Sequence, residues 1–228
     1  EVSPIAHYHM GGVRVNGQME TGVPGLFAAG EAVGGANGAN RLSGNALSEA
    51  FVFGERAGRF AAEAIGDRVG SWSNEAAYSA VDEIVAGRHV ATRQSGPGLA
   101  SMLVTLQKIM WQDVGLLRTA KGLANARTLV QDIRRDIGDY PGASDHRFAL
   151  SMQEWFDLRN SLIAAEAILA SAQTRTESRG AHQRGDFPRT EMDQTHNLIT
   201  RLDGEGLSVM AAPLVSKPFD LIPLEAAE

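Results

Sequence analysis

The chain has 228 residues, 43% hydrophobic and 21% charged, with a net charge of −6 at neutral pH; that is room for one large or two modest domains with real cores, in an ordinary globular composition. The acidic balance argues against a nucleic-acid or anionic-membrane surface, and the absence of cysteine excludes disulfides, thiolate metal sites and cysteine nucleophiles. No apolar run approaches the roughly 20 residues that span a bilayer and no signal peptide opens the chain, so no membrane insertion is expected and the expected compartment is the cytosol.

The first 44 residues carry many glycines and short β-like runs separated by turn residues. "VRVNGQME" predicts a hairpin, because Asn16-Gly17 suits a type I′ turn. "GLFAAGEA" predicts a short buried strand over Leu26 to Ala29, ending at Gly30-Glu31. From Asn45 the pattern becomes helical: Leu47, Phe51, Gly54, Ala57, Gly58, Ala61 and Ala62 recur at three- and four-residue steps, and the small residues among them suit close packing against a neighbour.

After "GDRVGSWS" nearly everything is helix. "NEAAYSAVDEIVAGR" and "GLASMLVTLQKIMWQDVG" each predict one. "LLRTAKGLANARTLVQDIRRDIG" carries an apolar stripe of Leu123, Ala126, Val130, Ile133 and Ile137. Phe148, Met152, Trp155, Leu158, Leu162, Ala165 and Leu169 make another on a long final helix. Such stripes are core-facing, so the region reads as a helical bundle. "HNLITRLDGEGLSVMAAPLV" predicts a closing hairpin with its turn at Asp203-Gly204. The class is therefore α+β, with a division near residue 68 between a glycine-rich strand-and-helix part (1–68) and a helical part with a terminal hairpin (69–228).

The chemistry concentrates in "GANGANRLSGNALSEAFVFG", residues 35–54. A glycine-rich loop running into a helix puts unpaired backbone N–H groups and the positive end of the helix dipole at one point, which suits an anion or a partly negative oxygen. Asn45 or Ser43 is placed to cap that helix. Arg41 adds a planar guanidinium able to clamp a carboxylate or phosphate through two parallel hydrogen bonds. Upstream, "HYHMGG" sets His7 and His9 beside a glycine pair. Two histidines, an arginine and a glycine-rich helix entry read together as a site. Near the other end, "TESRGAHQRGDFP" alternates Arg175, Arg179, His182 and Arg184 with Glu177 and Asp186. It is read either as a contact with the first part or a partner subunit, or as a polar network fixing the end of the long helix.

At these residues the sequence resembles a known family. "HYHMGGV", "VPGLFAAGEAVGG" and "GANRLSGNALSEAFVFGERAG" are similar to the segment that ends the flavin domain of the succinate dehydrogenase/fumarate reductase flavoproteins, a family that includes L-aspartate oxidase. "AQTRTESRGAHQRGDFPR" is similar to that family's C-terminal helical region. The resemblance is dense over residues 4–65 and 174–190, and only architectural between them. It implies FAD as cofactor and a C4 dicarboxylate as substrate, with hydride transfer between substrate and flavin N5. His7 matches the histidine that binds one substrate carboxylate, and Arg41 of "GANR" matches the second carboxylate clamp. Gly30 and Glu31 of "AGE" match the adenosine-side contact. Asn45 opens the helix whose amides, at the positions matching Ala46 and Leu47, point at the flavin pyrimidine ring. His9 stands where other members carry methionine or threonine, and no role is carried onto it.

No G-x-G-x-x-G follows a strand in this chain, which begins at Glu1, so it reads as the C-terminal portion of a longer flavoprotein, inactive alone. In the family, the dinucleotide-binding unit, the capping domain and the proton-shuttling arginine lie upstream. The resemblance also implies an iron–sulfur electron-transfer subunit as partner, with peripheral attachment at the inner face of a membrane through partner subunits. Two alternatives stay open: an L-aspartate oxidase-like flavoenzyme, and a helical interaction module that docks to a partner. No metal ligands are assigned.

Overall fold

The computed structural model describes residues 7–67, 73–90, 98–139, 141, 150–204 and 206–214. They fall into two compact units, Glu1–Val90 with Arg179–His182, and Ala91–Ser178 with Gln183–Glu228. The division expected near residue 68 lies outside the described residues.

In the first unit the helix predicted from Asn45 is α1 (Asn45–Asp67), and α2 is Asn74–Val90. Ser73 starts α2 by accepting from the Ala76 amide through its hydroxyl (3.2 Å). The glycine-rich segment departs from its sequence reading. No hairpin forms across residues 13–20. Instead the Asn16 side chain accepts from the amides of Gln18 (2.9 Å) and Glu20 (3.1 Å), and Met19 takes a positive φ of 64°. Asparagine's capacity to bond its own downstream backbone wins here over a type I′ turn.

The predicted strand at Leu26–Ala29 shrinks to a single bridge between Glu20 and Phe27, and Val13 pairs with Val33 in another. Gly12 permits that second pairing: a Cβ there would stand 2.5 Å from the Ala32 carbonyl oxygen. A three-residue 3₁₀ helix, Gly30–Ala32, packs on α1. The small-residue face of α1 meets nothing at Gly54 or Gly58, and Leu47 (69% exposed) and Phe51 (76% exposed) are uncovered. The close packing expected of that face is not supplied by this chain's described residues.

The second unit matches its helical reading closely. Helices α3 (Leu99–Val114), α4 (Ala120–Ile137) and α5 (Leu150–Thr174) pack on one another. The α4 stripe is buried at all five predicted positions, against Met102, Leu106 and Ile109 of α3 and Leu158, Leu162 and Leu169 of α5. On α5, Met152 lies at the margin of the stripe, 36% exposed, and Phe148 lies outside the described residues. Trp155 is buried, and its indole N–H donates to the Ile137 carbonyl at the end of α4 (3.3 Å), so its polar atom is satisfied inside the core. Thr119 caps α4 by accepting from the Gly122 amide (3.1 Å), and Gly138 follows its end with φ 74°.

Two short parallel strands, β1 (Leu117–Arg118) and β2 (Gln183–Arg184), pair side by side. The closing hairpin is β3 (His196–Asp203) and β4 (Gly206–Pro213), antiparallel and packed on α5. Pairing extends to Asp203 opposite Gly206, which moves the turn one residue past the expected Asp203-Gly204.

A polar network ties the end of α5 to the segment that leads into this hairpin. Glu177, wholly buried, accepts from Arg175 (2.6 Å) and from the Glu191 amide (2.8 Å). Arg175 also donates to the carbonyls of Gln194 (2.9 Å) and His196 (2.7 Å). Arg184, 2% exposed, grips Asp186 through Nε and a terminal nitrogen (both 2.8 Å) and caps α5 by donating to the carbonyls of Ala172 and Arg175 (both 2.9 Å). Asp186 in turn accepts from the Ala120 amide at the start of α4 (2.8 Å). The buried charges are paired and fully engaged, the condition under which they are tolerable. Among the described residues, no helix is long and apolar enough to cross a membrane.

Candidate active site

The "GANGANR" loop delivers the chain to α1 through Gly44, which occupies the capping position itself. No acidic side chain stands in the first turn. The Asn45 and Leu47 amides reach back to the carbonyls of Leu42 and Gly44, each at 3.2 Å. Gly35, Gly38 and Gly44 have φ of 105°, 56° and 93°, and nothing lies within 4 Å of where a Cβ would stand at any of them. The loop therefore offers bare backbone and a helix N-terminus to a ligand that must approach closely.

Arg41 sits beside this opening. Its guanidinium carbon lies 4.4 Å from the centroid of the Tyr8 ring, and one terminal nitrogen donates to the Leu42 carbonyl (3.3 Å). Stacking on Tyr8, the neighbour of His7, brings the "HYH" segment and the "GANR" loop together. His7 itself is exposed. Glu31 accepts from the His9 amide (2.8 Å) and so ties the same segment to the 3₁₀ helix, where Gly30 is buried with the Ala50 Cα 3.7 Å from where its Cβ would stand.

Beneath Arg41 lies a group that the sequence reading passed over. Glu49, on the second turn of α1 and 6% exposed, accepts from the Tyr8 hydroxyl through one carboxylate oxygen (2.5 Å) and from the Asn37 side-chain amide through the other (2.7 Å). The Glu49 bond and partial burial push the Tyr8 phenol above its ordinary pKa, so it stays protonated and donating. Nothing in the sequence marks Glu49, which reads as a surface acid on an amphipathic helix. Its neighbours are 41 and 12 residues away in sequence. Among the described residues no cluster of histidines and carboxylates is arranged to hold a metal.

The turn Arg179–His182 belongs to this first unit and supports the loop from behind. The Ala181 amide donates to the Ala39 carbonyl (2.9 Å). Gly180, with φ 55°, lies so close that a Cβ would overlap that same carbonyl group. In "TESRGAHQRGDFP", Glu177, Arg184 and Asp186 thus join the polar network at the end of α5, while the turn at Gly180-Ala181 packs on the Ala39 backbone. Gly180→Ala is expected to cost about 2 kcal/mol from left-handed backbone strain alone, with the overlap in addition. In hydrogen exchange the Ala181 amide should lose its protection while α4 keeps its own. An unchanged Ala181 rate would show that the turn does not bear on the loop.

Residues 104–223 match the family described as "Fumarate reductase flavoprotein C-term", and residues 1–47 match the family described as "FAD binding domain". A fumarate reductase flavoprotein subunit of Mycobacterium tuberculosis is 35% identical over 93% of this chain and 38% of its own length. An L-aspartate oxidase of Acinetobacter baylyi is 32% identical over 87% of this chain and 34% of its own. A solved quinol fumarate reductase of E. coli superposes with a TM-score of 0.83 at 26% identity, over 94% of this chain and 38% of the other. The chain thus spans little more than a third of the relatives it matches. With a family match over more than half its residues, this chain belongs to the fumarate reductase flavoprotein C-terminal family.

Proposed function

We propose that this chain works as the C-terminal portion of an FAD-dependent oxidoreductase acting on a C4 dicarboxylate of the succinate/fumarate type. In this reading residues 1–68 close the FAD-binding domain and residues 69–228 form the helical domain, the two family matches lying on either side of that boundary. The observation that carries the proposal is the Arg41 guanidinium held on Tyr8 beside the start of α1 and an open glycine loop. A fixed planar cation next to a place where backbone comes close to a ligand suits a carboxylate lying against a flat cofactor.

The residues present fit FAD. Bare backbone at Gly35, Gly38 and Gly44 leaves room for close approach. The N-terminus of α1, at Ala46 and Leu47, offers partial positive charge to the pyrimidine edge, with the Leu47 amide already donating to the Gly44 carbonyl (3.2 Å), and Gly30 and Glu31 serve the adenosine side. When bound, FAD supplies the hydride acceptor or donor at N5. Arg41 and His7 take the two substrate carboxylates and fix the direction of the bond between the central carbons. The uncovered apolar face of α1, with Leu47 and Phe51, supports a neighbouring part of the same flavoprotein as its cover. An iron–sulfur electron-transfer subunit as partner, and peripheral membrane attachment through partner subunits, belong to the same proposal.

The test is steady-state turnover of the full-length flavoprotein with succinate, with fumarate under a reduced dye, and with L-aspartate. The proposal predicts a kcat/KM for succinate or fumarate at least tenfold above that for L-aspartate. The reverse order would make the protein an L-aspartate oxidase. No turnover with either, in a protein that stays colourless, would favour a docking module.

A further inference from the structure

We propose that Tyr8, tethered by Glu49, is the positioning residue for Arg41: its ring carries the guanidinium and fixes which edge of it faces the substrate. The inference rests on the clamp role proposed for Arg41 and deepens it.

The geometry has three parts. First, Arg41 is held mainly by stacking. Its guanidinium carbon is 4.4 Å from the Tyr8 ring centroid, and its single hydrogen bond among the described residues runs from a terminal nitrogen to the Leu42 carbonyl (3.3 Å). Second, Arg41 Nε is shielded from solvent and finds no acceptor among the described residues. No hydrogen bond among the described residues orients that edge. Third, the ring is itself immobilised. The Tyr8 hydroxyl donates to Glu49, and Glu49 is buried with its other oxygen taken by Asn37.

Three segments distant in sequence therefore converge on one carboxylate: the "HYH" stretch, the "GANGANR" loop and α1. Both Glu49 oxygens accept hydrogen bonds, one from the Tyr8 hydroxyl and one from the Asn37 side-chain amide. A phenol that donates a hydrogen bond has a more electron-rich ring, which strengthens its attraction for the cation above it. The tether holds the hydroxyl end of the ring at Glu49, and the planar group stacked on the ring shares that restraint.

The consequence is energetic coupling between Tyr8 and Arg41 in turnover. In the full-length flavoprotein, Tyr8→Leu removes the platform and should lower kcat/KM for a C4 dicarboxylate about tenfold. Tyr8→Phe keeps the ring and loses only the tether, and should cost about threefold. Added to Arg41→Lys, Tyr8→Leu should cost less than about twofold further, because the fork it orients is already gone. A residue that merely supports the fold would instead reduce both backgrounds equally. Should Tyr8→Leu not yield holoenzyme, the cycle of Tyr8→Phe with Arg41→Lys decides the question at smaller amplitude. Additive losses, or Tyr8→Phe as damaging as Tyr8→Leu, overturn the inference while leaving the Arg41 clamp standing. Wild-type kcat/KM in Arg41→Lys alone overturns the clamp and this inference with it.

Discussion

Arg184→Met is expected to destabilise the helical unit by about 3 kcal/mol, a large effect for one side chain. Methionine keeps the length and apolar stem but removes every donor. The carbonyls of Ala172 and Arg175 at the end of α5 lose their partner, and Asp186 loses the two bonds that hold it. Arg184 is 2% exposed, so water cannot readily replace it at the helix end, whereas Asp186, 28% exposed, can partly rehydrate. On a unit of this size the loss should lower the helical melting temperature by on the order of 10 °C.

The effect should also depend on pH, with a defined sign. The Arg184 hydrogen bonds, with the Ala120 amide adding to them, hold the Asp186 carboxyl well below the usual carboxylate range, more than offsetting the opposing effect of burial. A depressed acid contributes stability that is fully present above its unfolded pKa of about 3.9 and is lost as pH falls towards the folded value. The wild-type chain therefore begins to surrender this contribution below about pH 4 and loses more of it with each further fall in pH. Arg184→Met has largely surrendered it already, so the gap between the two should narrow on acidification. Melts followed by circular dichroism from pH 7 to pH 3 would check this. A gap that stays constant or widens would mean that Asp186 is not held by Arg184.

How far this was legible in the sequence depends on where the information lies. The α4 stripe of Leu123, Ala126, Val130, Ile133 and Ile137 was readable because burial imposes a period that a helix repeats locally. The start of α1 at Asn45 was readable for the same reason, and the closing hairpin because its two strands adjoin in sequence around a turn signal. The predicted hairpin across residues 13–20 was not, because strand pairing depends on partners elsewhere, and Asn16 offered its own backbone a nearer bond. Arg41 stood out as a charge in a glycine-rich loop. Tyr8, Asn37 and Glu49 did not, since the contact that unites them spans 41 residues and each looks ordinary alone. Gly180 was legible as part of a motif but not as a contact, because only the fold brings it against Ala39.

The second large effect concerns Arg41 and bears on the central claim, that this arginine holds substrate while the backbone at the start of α1 serves FAD. Arg41→Lys keeps the positive charge but loses the planar fork, so two parallel hydrogen bonds to a carboxylate become impossible. Lysine is also a poorer partner for the Tyr8 ring, which carries the guanidinium 4.4 Å above its centroid. Losing a charge-assisted contact of this kind should cost roughly 1.5–3 kcal/mol, on the order of ten- to a hundredfold in kcat/KM. Because the same contact orients the reacting bond, kcat should fall along with apparent affinity. Steady-state kinetics of the full-length Arg41→Lys protein with a C4 dicarboxylate, read beside its flavin absorbance, is the most direct test. The account predicts near wild-type flavin content with kcat/KM down at least tenfold. A variant that loses its flavin while the remaining holoenzyme turns over normally would contradict it, because Arg41 would then serve the cofactor and not the substrate.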